Sequence, residues 1–169
     1  MPAEDVSVRR VEPGDWPVLR ALRLEALADT PIAYLETLAT ALALDDDAWQ
    51  ARARRGSAEG DSCQVLARSG GTAVGTAVGF LDAERPGTAV LAAVYVAPAA
   101  RGTGLLSALL EPVVAWAGGR GCGVLRLWVH EDNGRARAAY ERLGFRETGQ
   151  LMPYPLDPER RELAMELPL

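Results

Sequence analysis

An apolar strand that runs directly into a glycine-rich turn and a helix constrains this chain more than any other feature. Residues 88–96 are apolar at almost every position, as is typical of a strand covered on both faces. Pro98 then turns the chain, and residues 101–104, Arg-Gly-Thr-Gly, open a helix. Glycines let a backbone approach a ligand, and a helix N-terminus offers unpaired N–H groups. This junction predicts an anion site suited to phosphate, or alternatively a turn whose glycines serve packing alone.

Spacing and composition exclude several classes of phosphate-binding and metal-binding protein. Gly102 and Gly104 are followed by Ser107, so the dinucleotide-binding fingerprint does not fit. All 18 basic residues are arginine. Because a Walker-type phosphate loop and a Schiff-base enzyme both need a lysine, neither class fits. A single histidine and two cysteines cannot supply a four-ligand zinc site, and no metal site is predicted.

Hydrophobic patterning predicts alternating strands and helices around this junction. The predicted strands are 63–68, 73–82, 88–96, 124–130, 145–150 and 162–167, and the predicted helices are 104–117 and 135–143. Pro112 lies inside the first of these helices and should kink it or remove one backbone hydrogen bond. A helix between two apolar strands favours a right-handed crossover. The fold class is therefore α/β or α+β with a mixed sheet.

The first sixty residues have a mainly helical pattern, unlike the alternating strands and helices of the remainder. Residues 6–9 alternate apolar and polar, as in a short strand. Asp15 can cap the helix that follows, and residues 32–44 are helical or loop-like. The acidic run 45–47 suits the start of a further helix that ends near Gly56.

A second informative segment follows the predicted strand 124–130. Asn133 is the only asparagine in the chain, and it stands where a helix N-cap belongs. Ala136, Tyr140 and Leu143 then fall on one face of the predicted helix.

Together the two segments resemble the GNAT N-acetyltransferase superfamily. Its first signature, Val-x-Pro followed by Arg-x-x-Gly-x-Gly/Ala, is similar to residues 96–98 and 101–106, although Leu106 stands where the family usually has a small residue. Its second signature is matched by Asn133, Ala136, Tyr140, Glu141, Gly144 and Phe145. The resemblance covers residues 60–167 well, whereas residues 1–59 match only in layout.

The resemblance implies a particular form of the α/β (α+β) class. We expect a mixed, mostly antiparallel central sheet of about seven strands, with splayed central strands and four to five flanking helices. Residues 1–169 would form a single domain, in which 1–59 supply variable substrate-side helices and 60–167 form the CoA-binding core.

The activity that the resemblance implies is transfer of an acetyl group from acetyl-CoA to a primary amine by direct attack in a ternary complex. Backbone donors of the glycine-rich turn would hold the pyrophosphate, and the splayed strand would pair with the pantetheine arm. Leu106 could crowd the pyrophosphate. The expected cofactor-binding residues are Val94, Tyr95, Val96, Arg101, Gly102, Thr103, Gly104, Leu105, Leu106, Asn133 and Tyr140.

The chemistry needs an acid and a base. Tyr140 aligns with the tyrosine that this family uses as the general acid for the leaving thiolate; the alternative is a core tyrosine. The strand residues 91–94 carry no carboxylate. His130 is expected to be the base because its ordinary pKa suits proton removal, and a water relay is the alternative. Other candidates for the base are Asp82, Glu84, Tyr95 and Glu131.

The acceptor is predicted only by class. Residues 1–90 carry 9 arginines against 14 acidic residues, an excess that favours a small cationic amine or else serves solubility alone. The alternatives are a peptide or protein acceptor, a non-catalytic acyl-CoA-binding regulatory module, and an interaction protein whose sheet pairs with a partner. A sequence pI near 5.0 gives no reason to expect nucleic acid as a partner. Neither a signal peptide nor a membrane span is apparent, so we expect a cytoplasmic protein, and a homodimer is left open.

Overall fold

Residues 5–169, which the computed structural model describes, contain seven strands joined in one mixed sheet. Their order across the sheet is β1-β2-β3-β4-β5-β7-β6. The pair β4 and β5 is parallel, and all other neighbours are antiparallel. The strands are β1 (Val6–Arg10), β2 (Cys63–Ser69), β3 (Thr72–Leu81), β4 (Thr88–Val96), β5 (Val124–His130), β6 (Arg146–Tyr154) and β7 (Asp157–Pro168).

Five α-helices in the same residues flank the sheet, and they confirm the predicted fold class. They are α1 (Trp16–Asp29), α2 (Leu38–Leu42), α3 (Asp46–Gly56), α4 (Leu105–Gly119) and α5 (Gly134–Arg142). Short 3-10 turns stand at Pro13–Asp15, Pro31–Ala33 and Pro98–Ala100. Within residues 5–169, no helix is both long and apolar enough to cross a membrane.

The two central strands separate soon after they meet, as the resemblance implied. Register pairs join β4 to β5 only from Thr88 to Val90. Further along β4, Ala93 has φ of 51°, and the register with β3 shifts between Thr76 and Val78. A non-glycine residue at positive φ marks a local distortion of a strand, here a bulge. The bulge redirects the second half of β4 away from β5.

Each face of the sheet has its own apolar core. On one face α4 packs through Leu109 and Val113 against the central strands. On the other face α1 and α3 pack through Leu22 and Trp49. Both cysteines are buried free thiols. The core beneath α4 contains residues of both β4 and β5, so it packs on both strands that border the opening.

Two local expectations were wrong or incomplete, and a third is confirmed. Asp15 does not cap α1, because its carboxylate accepts hydrogen bonds from Arg9 and from the backbone N–H of Glu12. Pro112 lies inside α4, which continues to Gly119, and because proline has no N–H it removes one backbone hydrogen bond, as expected. The strands β6 and β7 run well beyond the predicted segments, because residues 151–161, polar and proline-containing in sequence, pair as a hairpin.

We predict that Gly79→Ala destabilises the protein by about 1–3 kcal/mol, because the new methyl group overpacks the interface of β3 with α4. A Cβ at Gly79 would lie 2.7 Å from Cγ1 of Val113. Gly118→Ala is the matched control, since it meets no atom within 4 Å and improves the propensity of α4. Urea denaturation measures both; equal stability of the two variants would contradict this packing.

Candidate active site

The separation of β4 and β5 opens a cleft of about 860 Å³. Its walls come from the second halves of both strands, from the turn that precedes α4, and from α5. The segment between α1 and α2 covers part of it through Tyr34 and Leu35. Nearly all the residues expected to bind the cofactor line this one cleft; among the lining residues are Val94, Tyr95, Val96, Arg101, Gly102, Gly104, Leu105, Leu106, Asn133 and Tyr140.

The turn before α4 presents a series of backbone N–H groups. Gly102 and Gly104 have φ of 74° and 86°, which only glycine adopts readily. The N–H groups of residues 102–104 have no acceptor within residues 5–169. Those of residues 105–107 begin α4 and lack intrahelical partners. Since these donors surround the positive end of the helix, the turn can bind an anion such as a phosphate.

Arg101 braces this turn rather than projecting a free charge. Its Nε donates to the carbonyl oxygen of Val96 at 3.0 Å, and its guanidinium forms an ion pair with Asp29. Hydrogen bonds from Thr30 and Arg101 lower the pKa of the Asp29 carboxyl. The side chain of Thr103 likewise bonds to the carbonyl of Ala100. The anion-binding capacity of the turn therefore lies in its backbone.

Leu106 packs against the core under α4 with part of its side chain. Leu105 is buried in the same core. Both residues also line the cleft, so crowding of a pyrophosphate by Leu106 stays a prediction.

The second half of β4 offers its backbone to the cleft. Beyond Val90, β4 has no register partner on β5. The carbonyl of Val94 accepts a hydrogen bond from the Tyr34 hydroxyl at 2.9 Å. The side chain of Tyr95 is buried and its hydroxyl donates to Glu25 at 2.7 Å, so Tyr95 can contribute to a ligand only through its backbone.

Tyr140 on α5 directs its phenol into the cleft. Its ring packs edge-to-face on Phe145, with centroids 5.5 Å apart. The hydroxyl forms no hydrogen bond within the described chain, 5–169. Burial raises the pKa of the phenol well above its ordinary value, and the nearby Tyr34 raises it further. Tyr140 therefore stays protonated at neutral pH and can donate a proton to a group in the cleft.

Tyr34 and Tyr154 form a hydrogen-bonded bridge at the cleft, on the sheet face opposite α4. The Tyr154 hydroxyl donates to the carbonyl oxygen of Tyr34 at 2.6 Å, and Tyr34 in turn reaches Val94. Burial raises the pKa of Tyr34 to about 12, so its hydroxyl remains a donor. The bridge ties the segment after α1 to the hairpin of β6 and β7.

His130 lines the cleft, and its contacts favour a positioning residue over a base, a role that stays a prediction. Nδ1 accepts the backbone N–H of Asp132 at 3.1 Å. A neutral imidazole that accepts at Nδ1 carries its proton on Nε2, and Nε2 then cannot take another. The ring is 4% exposed and packs edge-to-face on Tyr154. These contacts give His130 a positioning role at the end of β5.

The other residues named from sequence have local structural tasks. Asn133 caps α5, its Oδ1 accepting from the N–H of Ala136 at 3.3 Å. Glu131 forms hydrogen bonds to Arg161 outside the cleft, which lower the pKa of its carboxyl. Asp82 and Glu84 belong to the turn between β3 and β4 and do not line the cleft. None of these three carboxylates can therefore serve a reaction in the cleft.

Glu162 is the cleft carboxylate that sequence reasoning missed. It lies on β7 beside His130 in the register of the sheet, and it is 6% exposed. In the sequence it ends the charged run Asp-Pro-Glu-Arg-Arg-Glu, which is typical of a solvated turn. Because alternate residues of a strand share a face, the position of Glu162 two residues before the apolar Ala164 is the one sequence signal that could have placed it on a buried face. The described residues hold no cluster of three potential metal ligands.

The sheet opened between two parallel strands, with the glycine-rich turn and Tyr140 lining the opening, is the arrangement that the resemblance to acetyltransferases implies. A model of the Acetyltransferase (GNAT) family matches residues 22–145. The chain therefore belongs to the GNAT acetyltransferase family.

Known proteins agree with this assignment. The chain is 40% identical over 88 residues to a mycothiol acetyltransferase of Acidothermus cellulolyticus, a match over 52% of this chain and 24% of that protein. The match thus spans about a quarter of that relative's length. A GCN5-related N-acetyltransferase from Kribbella flavida is similar with 28% identity and a TM-score of 0.75, over 97% of this chain and 98% of its own. An acetyltransferase from Salmonella typhimurium, solved with its cofactor acetyl-CoA, shares the fold with 22% identity and a TM-score of 0.75, over 97% and 94% of the two chains.

We predict that Tyr154→Phe lowers the free energy of unfolding by about 1–3 kcal/mol, because it leaves the buried Tyr34 carbonyl without a donor. Tyr140→Phe is the matched control. It removes a hydroxyl without a protein partner and should leave the free energy of unfolding nearly unchanged. Urea denaturation compares the two, and an equal loss in both variants would contradict the bridge.

Proposed function

We propose that the protein is an acetyl-CoA-dependent N-acetyltransferase that acetylates the primary amine of a small molecule by direct attack in a ternary complex. One observation carries the proposal: the anion-binding turn, the unpaired half of β4 and the Tyr140 hydroxyl all face the same cleft. A ligand with a pyrophosphate, an amide-containing arm and a thioester needs these three features in this neighbourhood. The similarity to a fold solved with acetyl-CoA supports the choice of co-substrate.

The residues divide the work of binding between backbone and side chain. The N–H groups of residues 102–106 would hold the pyrophosphate, with Arg101 fixing the turn through Val96. The amide groups of the pantetheine arm would pair with β4 from Val94 to Val96, as an added strand does. A backbone N–H near Val96 would stabilise the oxyanion, an effect worth about 3–4 kcal/mol of the barrier.

Direct attack has two proton requirements: the amine nitrogen must lose protons, and the leaving sulfur must gain one. The amine attacks the thioester carbonyl carbon, a C–N bond forms, and the C–S bond breaks. Tyr140 gives its proton to the departing thiolate. The raised pKa of the phenol means that it still carries this proton at neutral pH. Asn133 supports this arrangement by capping the helix that carries Tyr140.

The bridge of Tyr34 and Tyr154 favours a small acceptor over a peptide. A peptide or protein acceptor would need an open groove between the segment after α1 and the hairpin of β6 and β7. Those two parts are instead joined by a hydrogen bond of 2.6 Å. An acceptor that enters beside this bridge must be compact.

Calorimetric titration with acetyl-CoA, followed by thiol detection with a panel of amines, tests the proposal. We expect a Kd of about 10 μM or tighter, equivalent to roughly −7 kcal/mol, and release of free CoA with at least one amine. Binding without thiol release from any amine would support a regulatory acyl-CoA-binding module. No binding, with no CoA found by mass spectrometry, would exclude both functions.

Tyr140→Phe tests the role of the phenol. We expect kcat to fall by about a hundredfold or more, since the thiolate loses its proton donor. The Kd for acetyl-CoA, measured by calorimetry, should stay within about twofold of the original, because the turn and β4 are untouched. An unchanged kcat would remove Tyr140 from the mechanism.

A further inference from the structure

Glu162 is a largely buried residue whose carboxylate has no protein partner among residues 5–169. The residue is 6% exposed. Its carboxylate oxygens form no hydrogen bond or ion pair in that part of the chain and keep access to the cleft. The neighbouring Arg161 reaches Glu131, and Arg160 reaches Asp132, so both guanidinium groups are engaged elsewhere. A carboxylate is seldom buried without a partner unless a ligand supplies one. Glu162 lines the same cleft as Tyr140.

The neighbours of Glu162 leave its charge uncompensated. Glu162 lies on β7, between the neighbouring strands β6 and β5. The sheet register pairs it with Met152 on β6 and with His130 on β5. His130 is held by the backbone of Asp132, and Tyr154 gives its hydroxyl to Tyr34. Burial raises the pKa of the Glu162 carboxyl, and its charge in turn contributes to the raised pKa of Tyr154. These two titratable groups face Glu162, and neither donates to it.

Most other side chains on this face of the cleft are apolar, and Arg23, which is paired with Glu36, lines its α1 side. Phe80 pairs with Val90 in the register of β3 and β4. Trp128 lies two residues before His130 on β5 and therefore on the same face of the sheet. All lie on the sheet face opposite α4, because Leu91 and Leu127 pack beneath α4. The apolar residues that line this side are Leu35, Phe80, Val90, Trp128 and Met152.

The acidic residues of the first half do not add charge to this surface. Asp15 pairs with Arg9, Glu36 with Arg23 and Arg52, and Asp29 with Arg101. Asp45 caps α3. Among residues 5–169, Glu162 is the one acidic residue that lines the cleft. The acid excess of residues 1–90 therefore does not lie in the cleft, and the expected small cationic amine would meet Glu162 alone.

We propose that Glu162 binds the ammonium group of the acceptor and takes its first proton, and that the acceptor is a monoamine with an apolar body. This inference rests on the proposed acetyltransferase function. One carboxylate can compensate one ammonium; a second ammonium on an apolar wall would be desolvated without a partner. The hydrocarbon part of a monoamine instead gains contact with Phe80 and Trp128.

The ammonium nitrogen loses two protons in the reaction, the first to Glu162 and the second to Tyr140. The ammonium R-NH3+ transfers a proton to Glu162, which becomes a neutral carboxylic acid, and the free amine attacks the thioester. As the C–S bond breaks, Tyr140 protonates the CoA sulfur and then recovers the second proton of the amine nitrogen. Glu162 finally releases its proton to water, so that the products are the amide, free CoA and one proton.

The experiment compares Glu162→Gln with Glu159→Gln, an exposed glutamate on the same strand. Thiol release is followed with 2-phenylethylamine, n-hexylamine and spermidine, and acetyl-CoA binding is followed by calorimetry. We expect the original protein to prefer the two monoamines, and Glu162→Gln to lose about a hundredfold in kcat/KM with unchanged acetyl-CoA affinity. Glu159→Gln should match the original protein. Turnover that survives Glu162→Gln overturns the role of Glu162, and preference for spermidine overturns the apolar monoamine.

Failure of the proposed function has a different signature. The original protein would then bind acetyl-CoA yet release no thiol with any amine, an outcome that overturns both proposals. Survival of turnover in Glu162→Gln would overturn the inference about Glu162 alone.

Thermal unfolding shows whether the variant is folded and whether the charge is unpaired. A carboxyl whose folded pKa is raised costs stability once the pH exceeds that pKa, so removing its charge should help at high pH. We expect Glu162→Gln to melt about 2 °C or more above the original protein at pH 8, with the difference vanishing at low pH. A lower melting temperature at pH 8 would mean that the charge has a stabilising partner, and would overturn the inference.

Discussion

The divergence of two parallel strands is the constraint on which the rest of this structure depends. β4 and β5 share register pairs only from Thr88 to Val90. Backbone groups beyond that point would normally pair across the sheet. Here the positive φ of Ala93 and the register shift with β3 accompany the divergence of the two strands. The unpaired backbone of β4 lines the cleft.

Every other part of the site is placed relative to that opening. The turn with Gly102 and Gly104 stands at the end of β4, so its donors lie where the cleft begins. The helix that carries Tyr140 follows β5 and so lies across the opening from that turn. The Tyr34 bridge lies on the opposite face and restricts the acceptor side. The proposed sites for cofactor and acceptor therefore adjoin each other at the opening between β4 and β5.

Local signals in the sequence predicted correctly the elements that form one side of the cleft. The strand 88–96, the glycine-rich turn and the Asn133 cap are each encoded within a few residues, and each lies where expected. The acceptor side depends on contacts between distant segments. Glu162 meets His130 only through sheet register, and the carbonyl of Tyr34 meets Tyr154 from 120 positions away. Spacing along the chain gives no indication of such pairings, so the sequence favours His130 as a base only through the intrinsic chemistry of imidazole.

A crystal structure of the protein with acetyl-CoA tests most directly whether the opened sheet is the cofactor site. We expect the pyrophosphate to accept hydrogen bonds from the N–H groups of residues 102–106, and the pantetheine arm to pair with β4 from Val94 to Val96. The thioester sulfur should then lie within hydrogen-bond reach of the Tyr140 hydroxyl, at about 3–3.5 Å. Acetyl-CoA bound outside the cleft, or β4 and β5 paired along their full lengths, would contradict this view of the fold.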